Sequence, residues 1–135
     1  MSLPEAFAAR MRAVAGVDGE ALLEALQRPP LPTALRLNPL RGAVPLPWQL
    51  EPVPWCPLGR YVPEGLRPGR SALHDAGAYY LQEASAMAVA EAVQVEPGMR
   101  VLDLCAAPGG KAGQMGAALG GSGLLIANEI VPERA

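Results

Sequence analysis

The sequence predicts an α/β fold: a small α+β module, followed by the opening β-α-β unit of a doubly wound parallel sheet. Three observations carry that expectation. Half of the 135 residues are apolar, enough for the core of one ordinary domain. Eleven of the 15 prolines fall between Pro29 and Pro68, which excludes regular helix there and leaves room only for short extended pieces. From Met99 onward, two short apolar runs enclose a glycine-rich turn and a stretch with helical spacing, the order of a β-α-β unit.

Each element has a local reason. Ser2 and Glu5 form a capping-box pattern with Pro4 between them, and Phe7, Met11 and Val14 share one face, so a helix is predicted over about 3–15. Asp18 is placed to cap a second helix with Leu22, Leu23 and Leu26 as its apolar stripe, ended by Pro29 and Pro30. In the proline-rich segment, "TALRLN" and "GRYV" read as short strands. Trp48, Trp55, Cys56 and Tyr61 are more anchors than a solvated linker needs, so the segment is expected to be ordered. "SALHDAGAYYLQEASAMAVAEAV" reads as one helix, capped by Asp75 and carrying Tyr80, Ala84, Met87, Ala88 and Val89 at helical spacing. Then "MRVLDLC" is predicted to be a buried strand, "AAPGG" a turn, "KAGQMGAAL" a helix, "GGSG" a turn and "LLIANE" a second strand. Pro132 opens a further helix. The chain divides into residues 1–70, the α+β module, and 71–135, the start of the parallel sheet domain.

Composition narrows the function classes. No apolar run approaches the roughly 20 residues of a membrane span, and "MSLPEAFAARMR" lacks the apolar core of a secretory signal, so a cytoplasmic protein is expected. Cys56 and Cys105 lie far apart, and His74 is the only histidine, which suggests neither a disulfide framework nor a metal site. The sequence does not establish a dimer, and a monomer is expected. The net charge of −2 is unevenly spread. Residues 28–70 hold six arginines against Glu51 and Glu64, whereas residues 71–135 hold three basic and seven acidic residues. The first part is therefore a candidate for nucleic-acid contact.

The turn in "DLCAAPGGKAG" limits its own ligand. A P-loop requires G-x-x-x-x-G-K-[ST]. Here Cys105 stands at the first glycine position and Ala112 at the hydroxyl that would hold magnesium. A dinucleotide fingerprint lacks its first two glycines, and Pro108 removes an amide that a pyrophosphate would use. An adenosyl cofactor without phosphates remains. The turn would lie against its amino-acid and ribose part, and Glu129, 20 residues after Gly109, would take the ribose hydroxyls. Asp103 is expected to support the turn.

The runs "YYLQEASAM", "VLDLCAAPGGK" and "ANEI", together with "LRLNP" at 35–39, resemble the RNA cytosine-5 methyltransferases of the Nol/Nop/Sun family. The start "LPEAFAARMRA" is similar to the bacterial branch that acts on small-subunit ribosomal RNA. The resemblance implies a class I, Rossmann-like methyltransferase sheet and S-adenosyl-L-methionine as methyl donor. Carried over position by position, it implies that Cys105, Ala106, Ala107, Pro108, Gly109, Gly110 and Lys111 contact the donor. Glu129 would bind its ribose, and Lys111 would also neutralise nearby negative charge. Residues 1–70 would assist docking of ribosomal RNA, expected to be 16S, or of the small subunit.

Methylation at cytosine C5 needs a thiolate that adds at C6, and in this family the thiol comes from loops after later strands of the sheet. Cys105 belongs to the donor loop, where it should face the pocket, and Cys56 to the proline-rich module, so no catalytic residue is assigned here. The expectation is a truncated sheet with exposed apolar faces, inactive alone, from a parent of ~400 residues. Two alternatives stay open: a non-catalytic RNA-binding fragment, which needs neither the turn nor Glu129, and part of a small-molecule methyltransferase, which gives no reason for the basic segment.

Overall fold

A four-residue strand, "ALRL", organises most of the chain because both of its edges and both of its faces are used. In the computed structural model, which describes residues 3–14, 16–28 and 32–134, this strand is β1 (Ala34–Leu37). It pairs antiparallel with β3 (Cys56–Tyr61) on one edge and with β4 (Tyr79–Leu81) on the other. The two-residue β2 (Pro52–Val53) completes the sheet in the order β2-β3-β1-β4. Pro52 sits on the edge strand, and Pro57 lies where β3 has run past its pairing with β1, so neither proline interrupts a central ladder.

The chain forms two compact units, Met1–Leu31 and Pro32–Ala135. In the first, α1 (Glu5–Arg12) and α2 (Gly19–Gln27) contact at Gly19, where a Cβ would lie 2.6 Å from the Arg12 Cα. Asp18 caps α2 as expected, accepting from the Ala21 amide at 3.0 Å. The capping box expected at α1 rests on Ser2. The helix begins at Glu5 with Pro4, which has no side-chain acceptor, at the cap position; Ser2 lies outside the described residues, as do Pro29 and Pro30. Of the expected stripe on α2, Leu23 is buried, Leu22 is half-buried and Leu26 is exposed.

In the second unit the sheet buries both faces. Ala34, Val53 and Cys56 pack on Ala84 and Met87 of α4 (Ala84–Val93). Leu35, Val62 and Tyr79 face the other way, against Val44, Leu46, Trp48 and Leu50, so the proline-rich segment is an ordered cover for the sheet. Gly59 is required on the α4 side, because a Cβ there would lie 2.8 Å from Val53 Cβ and 2.9 Å from Met87 Sδ. Gly59→Ala should therefore destabilise the chain by about 1–3 kcal/mol through overpacking, measurable as a lowered urea midpoint at unchanged slope. An unchanged midpoint would show that α4 yields freely.

The single helix expected over 71–93 is corrected. The chain forms α3 (Ala72–Asp75), then β4, then α4. Ser71, not Asp75, caps α3, and Gly77 at φ +71° turns the chain out of the helix. Tyr80 thus lies in a strand. Pairing with the open edge of β1 outweighs its helical spacing, and Tyr79 Oη adds a bond to the Pro68 carbonyl at 2.8 Å.

After α4 the predicted β-α-β unit follows: β5 (Arg100–Asp103), α5 (Gly110–Ala118) and β6 (Leu124–Ala127), with β5 and β6 parallel. Pro132–Arg134 form a turn of 3-10 helix. The expectation that "MRVLDLC" is buried is corrected for its side chains: Leu102 is 58% and Leu104 64% exposed, because two paired strands and one crossover helix cover little of either face. Ile126 and Ile130 are exposed as well, in line with the apolar faces expected of such a unit.

Candidate cofactor site

The site begins at the carboxyl end of β5, where a parallel sheet opens toward ligands. Asp103 ends the strand, buried. One of its carboxylate oxygens accepts from the Cys105 amide at 3.1 Å, and its carbonyl accepts from the Asn128 amide at 2.8 Å. The Ala106 amide returns a bond to the Asn128 carbonyl at 2.9 Å, tying the turn to the end of β6. Asp103 supports the turn as expected. Its Oδ2 is buried without a hydrogen-bond partner among the described residues, an acceptor left for a donor from elsewhere.

The turn closes on itself through the Gly109 amide, which donates to the Ala106 carbonyl at 2.7 Å. Gly109 has φ +103°, a conformation that favours glycine, and it precedes α5 without a side-chain cap, leaving the first amides of that helix without a side-chain partner. Glu129 is half-buried beside the turn. Its two oxygens accept from the Ala107 amide at 3.2 Å and from the Val131 amide at 3.0 Å. The Val131 amide is the main reason that the Glu129 pKa lies below its ordinary value, with the Ala107 amide and Arg134 adding to it.

These bonds bear on what fits. The Ala107 and Gly109 amides are used within the protein, and Pro108 has none, so the turn is not a nest of free amides for a phosphate. A pocket of about 220 Å³ lies over it, walled by Ala106, Ala107, Pro108, Gly109, Ala112 and Ala127 and edged by Asn128, Glu129 and Arg134. Small apolar walls with one carboxylate suit a largely uncharged ring and diol better than a polyphosphate.

The structure therefore brings five of the eight sequence-predicted residues, Ala106, Ala107, Pro108, Gly109 and Glu129, into one pocket. Cys105 is exposed and, with Gly110 and Lys111, lies outside that wall. Ala112, Ala127, Asn128 and Arg134 are pocket residues that sequence reasoning missed. Their signal was position alone, one helical turn after the loop or beside Glu129. Cys56 is buried with its thiol 3.2 Å from the Glu91 carboxylate, and burial first, then that hydrogen bond, pushes its pKa up. It is a structural cysteine, as expected.

Comparisons with known proteins give the chain a family. Residues 3–84 match the family model described as the N-terminal domain of 16S rRNA methyltransferase RsmF. The ribosomal RNA small subunit methyltransferase F of Enterobacter sp. (strain 638) is 37% identical, with 97% of this chain and 30% of that protein aligned. Its counterpart from Klebsiella pneumoniae (strain 342) is 38% identical over 97% of this chain and 31% of its own length. A solved methyltransferase homologue from Pyrococcus horikoshii superposes with a TM-score of 0.79 at 28% identity, covering 98% of this chain and 46% of that one. The chain thus spans about 30% of the length of these curated relatives. On the match over residues 3–84, this chain belongs to the RsmF family of 16S rRNA methyltransferases.

Proposed function

We propose that this chain holds S-adenosyl-L-methionine in the pocket over the Cys105–Lys111 turn, as part of an enzyme that methylates cytosine C5 in small-subunit ribosomal RNA in the cytoplasm. The observation that carries the reading is the juxtaposition of the turn with Glu129, whose carboxylate is fixed by two backbone amides at the edge of a small apolar pocket. When bound, the donor supplies an activated methyl group. Ala106, Ala107, Pro108 and Gly109 would shield one side of it from water, Glu129 would accept from its ribose hydroxyls, and Lys111 with the open first turn of α5 would neutralise its carboxylate.

The division of roles is part of the proposal: residues 1–70 dock RNA and residues 71–135 hold the donor, with β4 joining the sheet that begins in the first segment. Of the six arginines in residues 28–70, Arg41, Arg67 and Arg70 are exposed and free to meet phosphate, whereas Arg36 is buried and belongs to the interior.

Neither cysteine of this chain is the nucleophile. The buried Cys56 thiol has a raised pKa, the opposite of what activation requires, and Cys105 lies in the donor loop. The expected result is that the 135-residue chain binds S-adenosyl-L-methionine in calorimetry yet transfers no tritiated methyl group to 16S RNA. Transfer to cytosine would overturn the assignment of the cysteines. Failure to bind the donor would overturn the cofactor site.

A further inference from the structure

Two motifs singled out in the sequence, "LRLNP" and "YYLQ", have no place in the pocket wall, yet both end on its turn. Tyr80 Oη donates to the Pro108 carbonyl at 3.2 Å, and Arg36 Nη1 donates to the Gly110 carbonyl at 2.7 Å. These side chains come from neighbouring strands, β4 and β1, at directly paired positions. The carbonyls they hold flank Gly109, the residue whose left-handed backbone closes the turn.

Arg36 is unusual in this sheet. It is only 6% exposed, on the same strand face as Ala34, which packs against α4. Its other contacts are the Gln82 Oε1, the Gln114 Oε1 at 3.2 Å, and the Tyr80 ring, whose centroid lies 5.8 Å from Cζ. Charge balance is relayed: Gln114 Nε2 donates to Glu91 Oε1 at 2.8 Å. Burial lowers the Arg36 pKa, with the Glu91 carboxylate acting in the opposite sense, but a guanidinium stays charged. A buried cation is a poor device for stability alone, since an apolar side chain of similar volume avoids the desolvation cost. What an apolar side chain lacks is a donor for the Gly110 carbonyl.

Peptide planarity gives that bond a consequence. In a trans peptide the carbonyl and the following amide point in opposite directions, so fixing the Gly110 carbonyl also fixes the Lys111 amide, one of the uncapped amides at the start of α5. Gly110 adds a close approach: a Cβ there would lie 3.3 Å from both Gln82 Nε2 and Tyr80 Cε1. The turn is seated directly on the strand end that carries those residues.

We propose that Arg36 and Tyr80 are positioning residues for the cofactor turn: they hold the Pro108 and Gly110 carbonyls from the sheet side and thereby fix the closed turn at Gly109 and the orientation of the Lys111 amide offered to the ligand. The proposal rests on the reading that this turn binds S-adenosyl-L-methionine. It makes the four-stranded sheet a working part of the cofactor site as well as an appended module.

The test uses Tyr80→Phe, Arg36→Lys and Arg36→Met in this chain, with donor affinity by calorimetry, amide exchange at residues 109–111 without donor, and thermal midpoints. Tyr80→Phe removes one hydroxyl and keeps the ring, so affinity should fall about fivefold, the worth of one hydrogen bond, at an unchanged midpoint. Arg36→Met should weaken binding by more than about tenfold, because the lost bond is charge-assisted, and Arg36→Lys should restore part of it through a single ammonium donor. Exchange at Gly109 and Lys111 should quicken in the same order. If Arg36→Met does not fold, Tyr80→Phe and Arg36→Lys decide the matter. Unmodified affinity and unmodified exchange in those two variants would overturn the positioning role while leaving the cofactor site intact. Absence of donor binding by the unmodified chain, with quickened exchange in the variants, would overturn the cofactor reading and leave the clamp on the turn established.

Discussion

Met87→Ala should cost this chain about 2–5 kcal/mol of stability, the largest effect expected of any single truncation in the sheet unit. Met87 is fully buried, between Ala34, Val53 and Cys56 of the sheet and Ala84 of its own helix. Its sulfur also fills the space that Gly59 leaves open. Small residues surround it on several sides, and they cannot swing in to refill the volume, so most of the cavity should persist. For a unit of this size each kcal/mol corresponds to roughly 4–8 °C in thermal midpoint, so a fall of about 10 °C or more is expected. Val89→Ala provides the contrast. Val89 is on the same helix but 53% exposed, and its truncation should stay within about 0.5 kcal/mol. Equal losses from the two substitutions would mean that α4 is not docked on the sheet by the face described.

That contrast shows what the sequence contained and what it did not. Met87 and Val89 stood together in the expected apolar stripe of a long helix, and only docking on the sheet separates the buried one from the exposed one. Elements specified by near neighbours were legible: the Asp18 cap, the "ALRL" strand, and the β5-α5-β6 unit, whose turn and breaker residues stand next to the runs they bound. Strand β4 was not, because three residues inside a run that reads as helix join the sheet only through Leu35–Leu37, more than 40 positions away. Arg36 was counted as surface charge for the same reason. Its burial depends on Tyr80, Gln82, Gly110 and Gln114 meeting around it, which no spacing rule announces. In the candidate site, the turn and its partner acid were legible because glycine geometry and the interval to Glu129 are local or semi-local. The remaining lining, Ala112, Ala127, Asn128 and Arg134, consists of residues that become pocket only by position.

Glu129→Ala should lower affinity for S-adenosyl-L-methionine about a hundredfold, the combined worth of two charge-assisted hydrogen bonds, and Glu129→Gln by an intermediate amount because one acceptor oxygen remains. A purely structural role is the competing explanation, since the carboxylate also braces the Ala107 and Val131 amides. A donor analogue lacking the ribose 2′-hydroxyl separates the two. If Glu129 acts on the ribose, the analogue binds weakly to the unmodified chain, and substitution at 129 weakens it by less than it weakens the natural donor. If Glu129 only braces the loop, the losses from analogue and substitution add. The pH dependence has a definite sign. The Val131 amide, first among the causes, holds the carboxyl pKa below its ordinary value of 4.5, so the bracing is fully present above that value and is lost as the pH falls through the lowered folded-state value. Affinity should accordingly be flat from neutral pH down to about 5 and decline only in stronger acid, and the decline should vanish in Glu129→Gln. A decline centred near neutral pH would assign the titration to some other group and remove Glu129 from the cofactor site.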